Sequence, residues 1–232
     1  MSIFSGKNIM VTSGGTREYL DDVRVITNIS TGALGANIAE SLYRYGARVH
    51  YVHGVNARMP VLEGGYSDGS FIDYPIKSCA DLHQTMKAII PAFKMDGVVH
   101  SAAVSDFTFK REEAIKISSS SPEDFIELLR KTITRTPKII QDIKSWYPET
   151  TLVGFKFTVS KTYGELITIA EEMAEKSGCD AVFANDKTDM INQREHVGIL
   201  LDMITKQRIP CKGKDEIAYK ITQFLGRSYE KN

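Results

Sequence analysis

Two loops near the N-terminus contain the residue types needed to bind a negatively charged ligand. The first, TSGGTRE at residues 12–18, follows a short apolar run, and Gly14 and Gly15 would let backbone N–H groups approach an anion. The loop matches neither the GxGxxG fingerprint nor a Walker loop, and an ordinary turn would have the same composition. This pattern therefore supports phosphate binding and a simple turn about equally.

The second loop, residues 21–35, combines charged, amide and hydroxyl side chains. Its sequence, DDVRVITNISTGALG, places Arg24, Asn28 and two hydroxyl residues directly before a predicted helix. The N–H groups and the dipole of a helix N-terminus favour a phosphate or a carboxylate. A capped loop with a hydrogen-bonded asparagine is the alternative without a ligand. We interpret this segment as a setting for an anionic group.

The elements that would position these loops alternate between short apolar runs and amphipathic stretches. This alternation predicts an α/β fold with a doubly wound, Rossmann-like parallel sheet, in which ligands bind outside the carboxyl ends of the strands. A terminal hairpin is predicted at residues 196–211. The predicted strands are 8–12, 48–53, 97–100, 151–155 and 180–184, and the predicted helices are 35–45, 82–93, 137–146, 166–177 and 214–225.

One internal segment, at about residues 107–136, fits this alternation badly. It contains charges and a run of serines, and its part at residues 125–135 could be strand or helix. We interpret it as a flap or small subdomain. Its polar residues 110–121 are expected to move before a ligand binds and to close over the ligand afterwards.

Composition limits the classes of partner. The 232 residues include 29 basic and 29 acidic side chains, so no overall positive field would attract nucleic acid or an anionic membrane. The three cysteines lie far apart, which argues against a zinc knuckle or a disulfide framework. The apolar run near residue 10 is too short to be expected as a signal peptide, and no later stretch approaches the roughly 18 apolar residues of a membrane span. We therefore expect a soluble, cytoplasmic protein.

Residues 21–35, together with the preceding loop, resemble part of the synthetase domain of the bacterial bifunctional coenzyme A biosynthesis proteins. In those proteins the corresponding stretch follows the consensus TxGxTREPxDPVRxxxNxSSGxxG. Lys116 lies where that family has the first lysine of a KIKK motif. The matches extend over residues 11–186, and their combination is specific. The other similar stretches, in the order of the family, are SAAVSDF at 101–107, TPKII at 136–140, VGF at 153–155 and AND at 184–186.

The resemblance implies a phosphopantothenate–cysteine ligase, formed by one domain over residues 1–232. In that reaction the phosphopantothenate carboxylate attacks the α-phosphate of CTP, with ATP as the alternative nucleotide, and pyrophosphate leaves. The amine of L-cysteine then displaces the nucleoside monophosphate. The resemblance further implies a homodimer, Mg²⁺ held mainly by the nucleotide phosphates rather than by protein ligands, and a separate phosphopantothenoylcysteine decarboxylase.

The resemblance also implies roles for individual residues. Asn28 matches the asparagine that holds the acyl-nucleotide, Arg24 matches a neighbouring arginine of that loop, and Lys116 matches the lysine that supports the second half-reaction. The positions implied for the nucleotide site are Gly14, Gly15, Ser101, Ala102, Ala103, Asp106, Lys116, Pro137, Lys138, Ile139, Ile140 and Phe155.

Departures from the family pattern leave the choice of nucleotide open. KIKK is here KISS at residues 116–119, Ala33 replaces a lysine, and Ser177 occupies another lysine position. Two alternatives from other classes are a short-chain NAD(P)-dependent oxidoreductase and a non-catalytic nucleotide-binding regulator. The YxxxK motif of the oxidoreductases is absent from the sequence. The presence of Asn28 and Lys116 argues against a non-catalytic regulator, whereas the absence of the family's other lysines argues for one.

Overall fold

The computed structural model of the chain describes residues 3–63, 65, 69–110 and 121–229. In chain order its elements are β1 (Asn8–Ser13), β2 (Arg17–Tyr19), β3 (Val25–Thr27), α1 (Ala33–Arg44), β4 (Arg48–Gly54), β5 (Phe71–Ile76), α2 (Cys79–Ala92), β6 (Gly97–His100), β7 (Phe107–Phe109), α3 (Pro122–Thr132), β8 (Ile133–Arg135), α4 (Ile139–Trp146), β9 (Thr151–Thr158), α5 (Tyr163–Ser177), β10 (Ala181–Asp186), α6 (Lys187–Gln193), β11 (Val197–Asp202), β12 (Arg208–Lys212) and α7 (Lys214–Tyr229).

The main sheet has eight strands in the order β12-β11-β10-β9-β6-β1-β4-β5. Six neighbouring strands, from β10 to β5, are parallel, and β11 and β12 add an antiparallel hairpin at one edge. The predicted α/β fold and terminal hairpin are therefore confirmed. Because the six strands are parallel, the loops after β1, β6 and β9 all leave the sheet at the same edge.

Two hydrophobic layers cover the faces of the sheet. Met10 and Val98 pack with α2, α4 and α5, whereas their chain neighbours Ile9 and Val99 pack with α1 and α7. Successive side chains of a strand point to opposite faces, so strands covered on both sides need apolar residues at every position. This is why the central strands were recognisable as continuous apolar runs. No helix in the described ranges is long and apolar enough to cross a membrane.

Several elements differ from the predictions or were not predicted. The long loop between β1 and α1 contains an antiparallel hairpin, β2–β3. Strand β5 was missed because it is an edge strand in which exposed and buried residues alternate and Pro75 occurs. The segment 125–135 contains both a helix and a strand, since α3 leads into β8, which pairs with β7. Residues 111–120, which are most of the segment 110–121 predicted to close over the ligand, lie outside the described residues.

Two buried histidines should make the free energy of unfolding depend on pH. Burial lowers the pKa of His100 to about 4, and burial together with Arg48 lowers the pKa of His50 to about 4. The unfolded chain, with a histidine pKa near 6.5, therefore binds protons that the folded state excludes. We expect the free energy of unfolding to fall as the pH falls from about 6.5 to 4, by roughly 3 kcal/mol for each histidine.

Urea unfolding at a series of pH values measures this dependence. His100→Gln should remove part of the slope between pH 6.5 and 4, because glutamine does not titrate. Equal free energies of unfolding at pH 7 and pH 5 in the unsubstituted protein would contradict the prediction.

Candidate active site

The crevice of the sheet lies between β1 and β6. The chain passes from β1 to β4 on one side and returns to β6 on the other, so the two following loops separate at this point. They remain joined by backbone hydrogen bonds: the Ala103 N–H donates to the Gly14 carbonyl at 2.8 Å, and the Thr16 N–H donates to the Ala103 carbonyl at 3.3 Å. The structure therefore brings Gly14, Gly15 and Ala103 together.

Helix α1 begins directly against these loops. Its N-cap residue, Gly32, has φ 70°, and the Ser13 hydroxyl donates to the Gly32 carbonyl at 2.9 Å. A Cβ atom on Gly35 would lie 2.4 Å from Ser13 Oγ and 3.0 Å from Ser101 Oγ. Since Gly32 has no side chain to cap the helix and the first turn is uncharged, the backbone N–H groups of α1 can donate to an anion.

Asn28 connects the β2–β3 hairpin to the loop after β6. Its side-chain amide donates to the carbonyls of Ala103 at 3.3 Å and Val104 at 3.1 Å, and the side chain remains exposed. The preceding Thr27 hydroxyl donates to the Thr16 carbonyl at 2.7 Å. Asn28 therefore lies at the junction of three chain segments that are far apart in sequence.

Arg24 is on the same hairpin but makes different contacts. Its guanidinium donates two hydrogen bonds to the buried Asp21 carboxylate, at 3.0 and 2.6 Å, and lies 5.7 Å from the centre of the Phe125 ring in α3. Asn28, by contrast, contacts the loop after β6. The predicted catalytic role of Arg24 therefore stays a prediction.

The predicted nucleotide positions around α4 also meet the loop after β6. The Lys138 ammonium forms an ion pair with the Asp106 carboxylate, and both side chains are largely exposed. The Thr136 hydroxyl donates to the Ser105 carbonyl at 2.5 Å, which holds this segment in place. Helix α4 begins at Ile139, two residues later than predicted. The Ile139 side chain is buried in the core, so any contact with a ligand would come from its backbone.

The other predicted nucleotide positions lie along the same edge. His100 is paired with Gly154 of β9, so the following residues, Ser101 and Phe155, are also neighbours. The half-buried Phe155 ring lies 5.6 Å from the Phe183 ring. Ala102, Pro137 and Ile140 are partly or fully exposed beside these residues, and Lys116 lies outside the described part of the chain.

Sequence reasoning missed a set of hydroxyl groups beneath the crevice. Thr12 Oγ1 lies 2.9 Å from His100 Nδ1 and accepts the Ala102 N–H at 3.1 Å, and Thr16 Oγ1 accepts the Ser105 N–H at 3.0 Å. Hydroxyl residues that directly follow a buried strand were the available signal. These contacts hold Ala102 and Ser105 of the loop after β6 against Thr12 and Thr16.

The described residues of the crevice are suited to binding and orienting an anion. Because the pKa of His100 is about 4, its ring is neutral at pH 7. Burial, with Glu18 nearby, raises the pKa of Cys79 to about 11, so this thiol is a poor nucleophile. Within the described residues, no three His, Cys, Asp or Glu side chains form a group that could hold a metal ion. The hydrogen-bond donors are backbone N–H groups, hydroxyls and an amide.

Known proteins resemble this chain in sequence over most of its length. The coenzyme A biosynthesis bifunctional protein CoaBC of Thermococcus kodakarensis is 33% identical over 218 residues, which are 93% of this chain and 50% of the relative. The corresponding protein of Methanocaldococcus jannaschii is 29% identical over 223 residues, which are 94% of this chain and 50% of the relative. The chain thus spans about half the length of these curated relatives.

Solved structures share the fold. The DNA/pantothenate metabolism flavoprotein from Streptococcus pneumoniae has a TM-score of 0.81 and 30% identity, with 96% of this chain and 99% of the other covered. The C-terminal domain of a CoaBC protein has a TM-score of 0.76 at 23% identity, with both chains fully covered. The family model described as "DNA/pantothenate metabolism flavoprotein C-terminal domain" matches residues 4–227. The chain therefore belongs to the family of DNA/pantothenate metabolism flavoprotein C-terminal domains.

Proposed function

We propose that this chain is a phosphopantothenate–cysteine ligase of coenzyme A biosynthesis. The observation that carries the proposal is the contact of Asn28 with the carbonyls of Ala103 and Val104, which joins two motif segments at the crevice of the sheet. Membership of the family and the similarity to CoaBC proteins support the same pathway. A ligand in this crevice would meet both segments and the N-terminus of α1.

The proposed reaction has two steps. An oxygen of the phosphopantothenate carboxylate attacks the α-phosphorus of a nucleoside triphosphate, the bond to the β-phosphate breaks, and pyrophosphate leaves. The unprotonated amine of L-cysteine then attacks the acyl carbon, and the nucleoside monophosphate leaves as the amine loses a proton. The product is phosphopantothenoylcysteine, which a decarboxylase would then use as its substrate.

The donors of the crevice suit this chemistry. Negative charge is present on the phosphates throughout and is redistributed in both transition states, so fixed N–H donors can stabilise it without themselves reacting. The N–H groups at the start of α1 supply such donors. The Asn28 amide already donates to the carbonyls of Ala103 and Val104, so we infer that a bound acyl-phosphate would take over one of these two hydrogen bonds.

We propose CTP as the activating nucleotide, with ATP as the alternative. Magnesium would enter with the nucleotide, because phosphate oxygens are the ligands that it prefers. We assign no protein ligand to the metal, since the described residues contain no group suited to hold it.

The assay that tests this proposal measures pyrophosphate release with phosphopantothenate, L-cysteine, magnesium and either CTP or ATP. We expect release to require phosphopantothenate, and the product mass to include cysteine. NADPH should neither bind nor be oxidised. A tight NADPH complex, or nucleotide hydrolysis that is indifferent to phosphopantothenate, would overturn the assignment.

We also propose a homodimer, on the evidence of an exposed apolar surface. We call it the hairpin surface, and it consists of Val25 and Ile26 of β3, Phe107 of β7, and Ile126 and Ile133 of α3 and β8. These five side chains are between 39% and 49% exposed. None of the described residues of α3 is buried, although the helix is amphipathic. A large apolar surface of this kind is typical of a protein–protein interface.

Charge at the hairpin surface is predicted to separate the subunits. Ile26→Lys should give a monomer in light scattering coupled to size-exclusion chromatography, because burying an unpaired ammonium opposes association. Ile204→Lys is the matched control, since Ile204 is 64% exposed in the turn between β11 and β12. A dimer that survives Ile26→Lys and Phe107→Lys would exclude this surface as the interface.

A further inference from the structure

A second cleft lies beside the candidate active site. It has a volume of about 730 Å³, and among its lining residues are Asn37, Phe157, Lys187, Arg194, His196 and Lys214. Phe157 is two residues beyond Phe155 on β9, a separation of about 7 Å along a strand. Asn37 is four residues, or about 6 Å, beyond the start of α1. The cleft therefore continues from the crevice along the same edge of the sheet.

Three cations of this cleft lack an ion-pair partner among the described residues: Lys187, Arg194 and Lys214. Lys187 is the first residue of α6, Arg194 follows the end of α6, and Lys214 begins α7. The two ends of α6 and the start of α7 thus bring positive charge to one cleft. This concentration contrasts with the zero net charge of the whole chain.

The acidic groups of the cleft are already engaged. Glu195 lies 3.5 Å from the ammonium of Lys212, and the Asp215 carboxylate accepts a 2.6 Å hydrogen bond from Asn37. Burial and the charge of Lys214 lower the pKa of His196, so this ring is neutral at pH 7. The hydrogen bond from the neutral Asn37 amide leaves the negative charge of Asp215 in place, but Lys187, Arg194 and Lys214 outnumber it, so the net charge that faces a ligand is positive.

Apolar side chains are exposed next to these cations. Phe157 is 54% exposed and Ile191 is 63% exposed, and both line the cleft. An exposed ring can stack on a nucleobase, whereas ammonium and guanidinium groups bind phosphate oxygens. The combination favours a nucleoside polyphosphate over an inorganic ion.

Two of the cations nearer the crevice are paired. Arg24 is bonded to Asp21, and Lys138 is bonded to Asp106. A nucleoside triphosphate carries several negative charges, and the donors at the start of α1 are neutral N–H groups. Additional positive charge along the path of the polyphosphate would therefore strengthen its binding.

We propose that this second cleft binds the polyphosphate of the activating nucleotide, through Lys187, Arg194 and Lys214. The inference rests on the proposed ligase function, since it identifies a recognition site for the nucleotide of that reaction. These residues would also hold the pyrophosphate as it leaves.

Binding of nucleotides by calorimetry tests this assignment without turnover. The variants are Lys187→Gln, Arg194→Asn, Lys214→Gln and the three combined; asparagine suits position 194, where φ is 51°. Each single substitution should weaken CTP or ATP binding about tenfold, as loss of a charge-assisted hydrogen bond does, and change CMP or AMP binding little. Inorganic tripolyphosphate should show the same loss. Lys87→Gln, an exposed lysine on α2, is the matched control.

Three results would overturn the proposal. The combined variant could bind triphosphates with unchanged affinity, or the unsubstituted protein could bind no triphosphate. The third is an equal loss of affinity for CMP and CTP, because the cations would then not recognise the polyphosphate. Thermal unfolding of each variant confirms that it is folded. If the cations are required for triphosphate binding but no pyrophosphate is released with phosphopantothenate, the cleft assignment stands and the ligase function fails.

Discussion

Asn28→Asp is expected to reduce ligation by about 100-fold or more, the loss seen when a donor to a developing oxyanion is removed. A carboxylate cannot donate to the carbonyls of Ala103 and Val104, which the Asn28 amide contacts at 3.3 and 3.1 Å. It also adds negative charge beside a phosphate. Steady-state pyrophosphate release and rapid-quench detection of the acyl-nucleotide measure the effect.

A matched control separates the local effect from a general effect of charge. Gln84→Glu makes the same change from amide to carboxylate at an exposed position of α2, and it should leave turnover unchanged. If Asn28 had a purely structural role, Asn28→Asp would lower the unfolding temperature and leave the kcat of the remaining folded enzyme near normal. A kcat that falls in a fully folded variant supports contact with the reacting group. Near-normal turnover would remove Asn28 from the site.

Gly54→Ala is expected to reduce turnover by about tenfold or more, through the position of the glycine loop. A Cβ atom at Gly54 would lie 2.4 Å from the Gly15 carbonyl oxygen, which is backbone, so the loop must move. The Gly15 region forms a bridge with Ala103, and a 1 Å displacement of a site can cost about 100-fold in rate. We also expect a loss of about 1–3 kcal/mol in stability, as in other overpacked positions.

Gly164→Ala is the control for this change. A Cβ at Gly164, in α5, would meet no atom within 4 Å, so the variant should keep its activity and gain slightly in stability. Nucleotide affinity and kcat should be measured for both variants, together with urea unfolding. Gly54→Ala with unchanged kinetics would show that the position of the Gly15 carbonyl is irrelevant to the reaction.

The crevice differs from active sites that rely on a nucleophilic side chain. Its described donors are neutral, and the proposed positive charge lies in the neighbouring cleft at Lys187, Arg194 and Lys214. A site with this division would fix the acyl-phosphate by hydrogen bonds and the polyphosphate by charge. Salt should therefore weaken triphosphate binding more than it weakens binding of the monophosphate product.

Much of the fold was predictable because its signals are local. A central parallel strand is covered on both faces, so its middle residues, such as IMV at 9–11 and GVV at 97–99, form continuous apolar runs. Parallel strands direct their carboxyl ends to one edge, which placed the loops of Gly14, Asn28 and Ala103 in one region. The roles of individual residues came from resemblance, and that of Lys116 stays a prediction.

Tertiary structure alone decided the contacts within that region. The sequence does not specify that Arg24 pairs with Asp21, that Lys138 pairs with Asp106, or that Asn28 bridges to carbonyls 75 and 76 residues away. The sequence also does not specify that the ends of α6 lie beside the start of α7, and this arrangement forms the second cleft. Hydrophobic periodicity specifies which face of an element is buried, but the partner of a polar side chain depends on the distances between loops once the layers have packed.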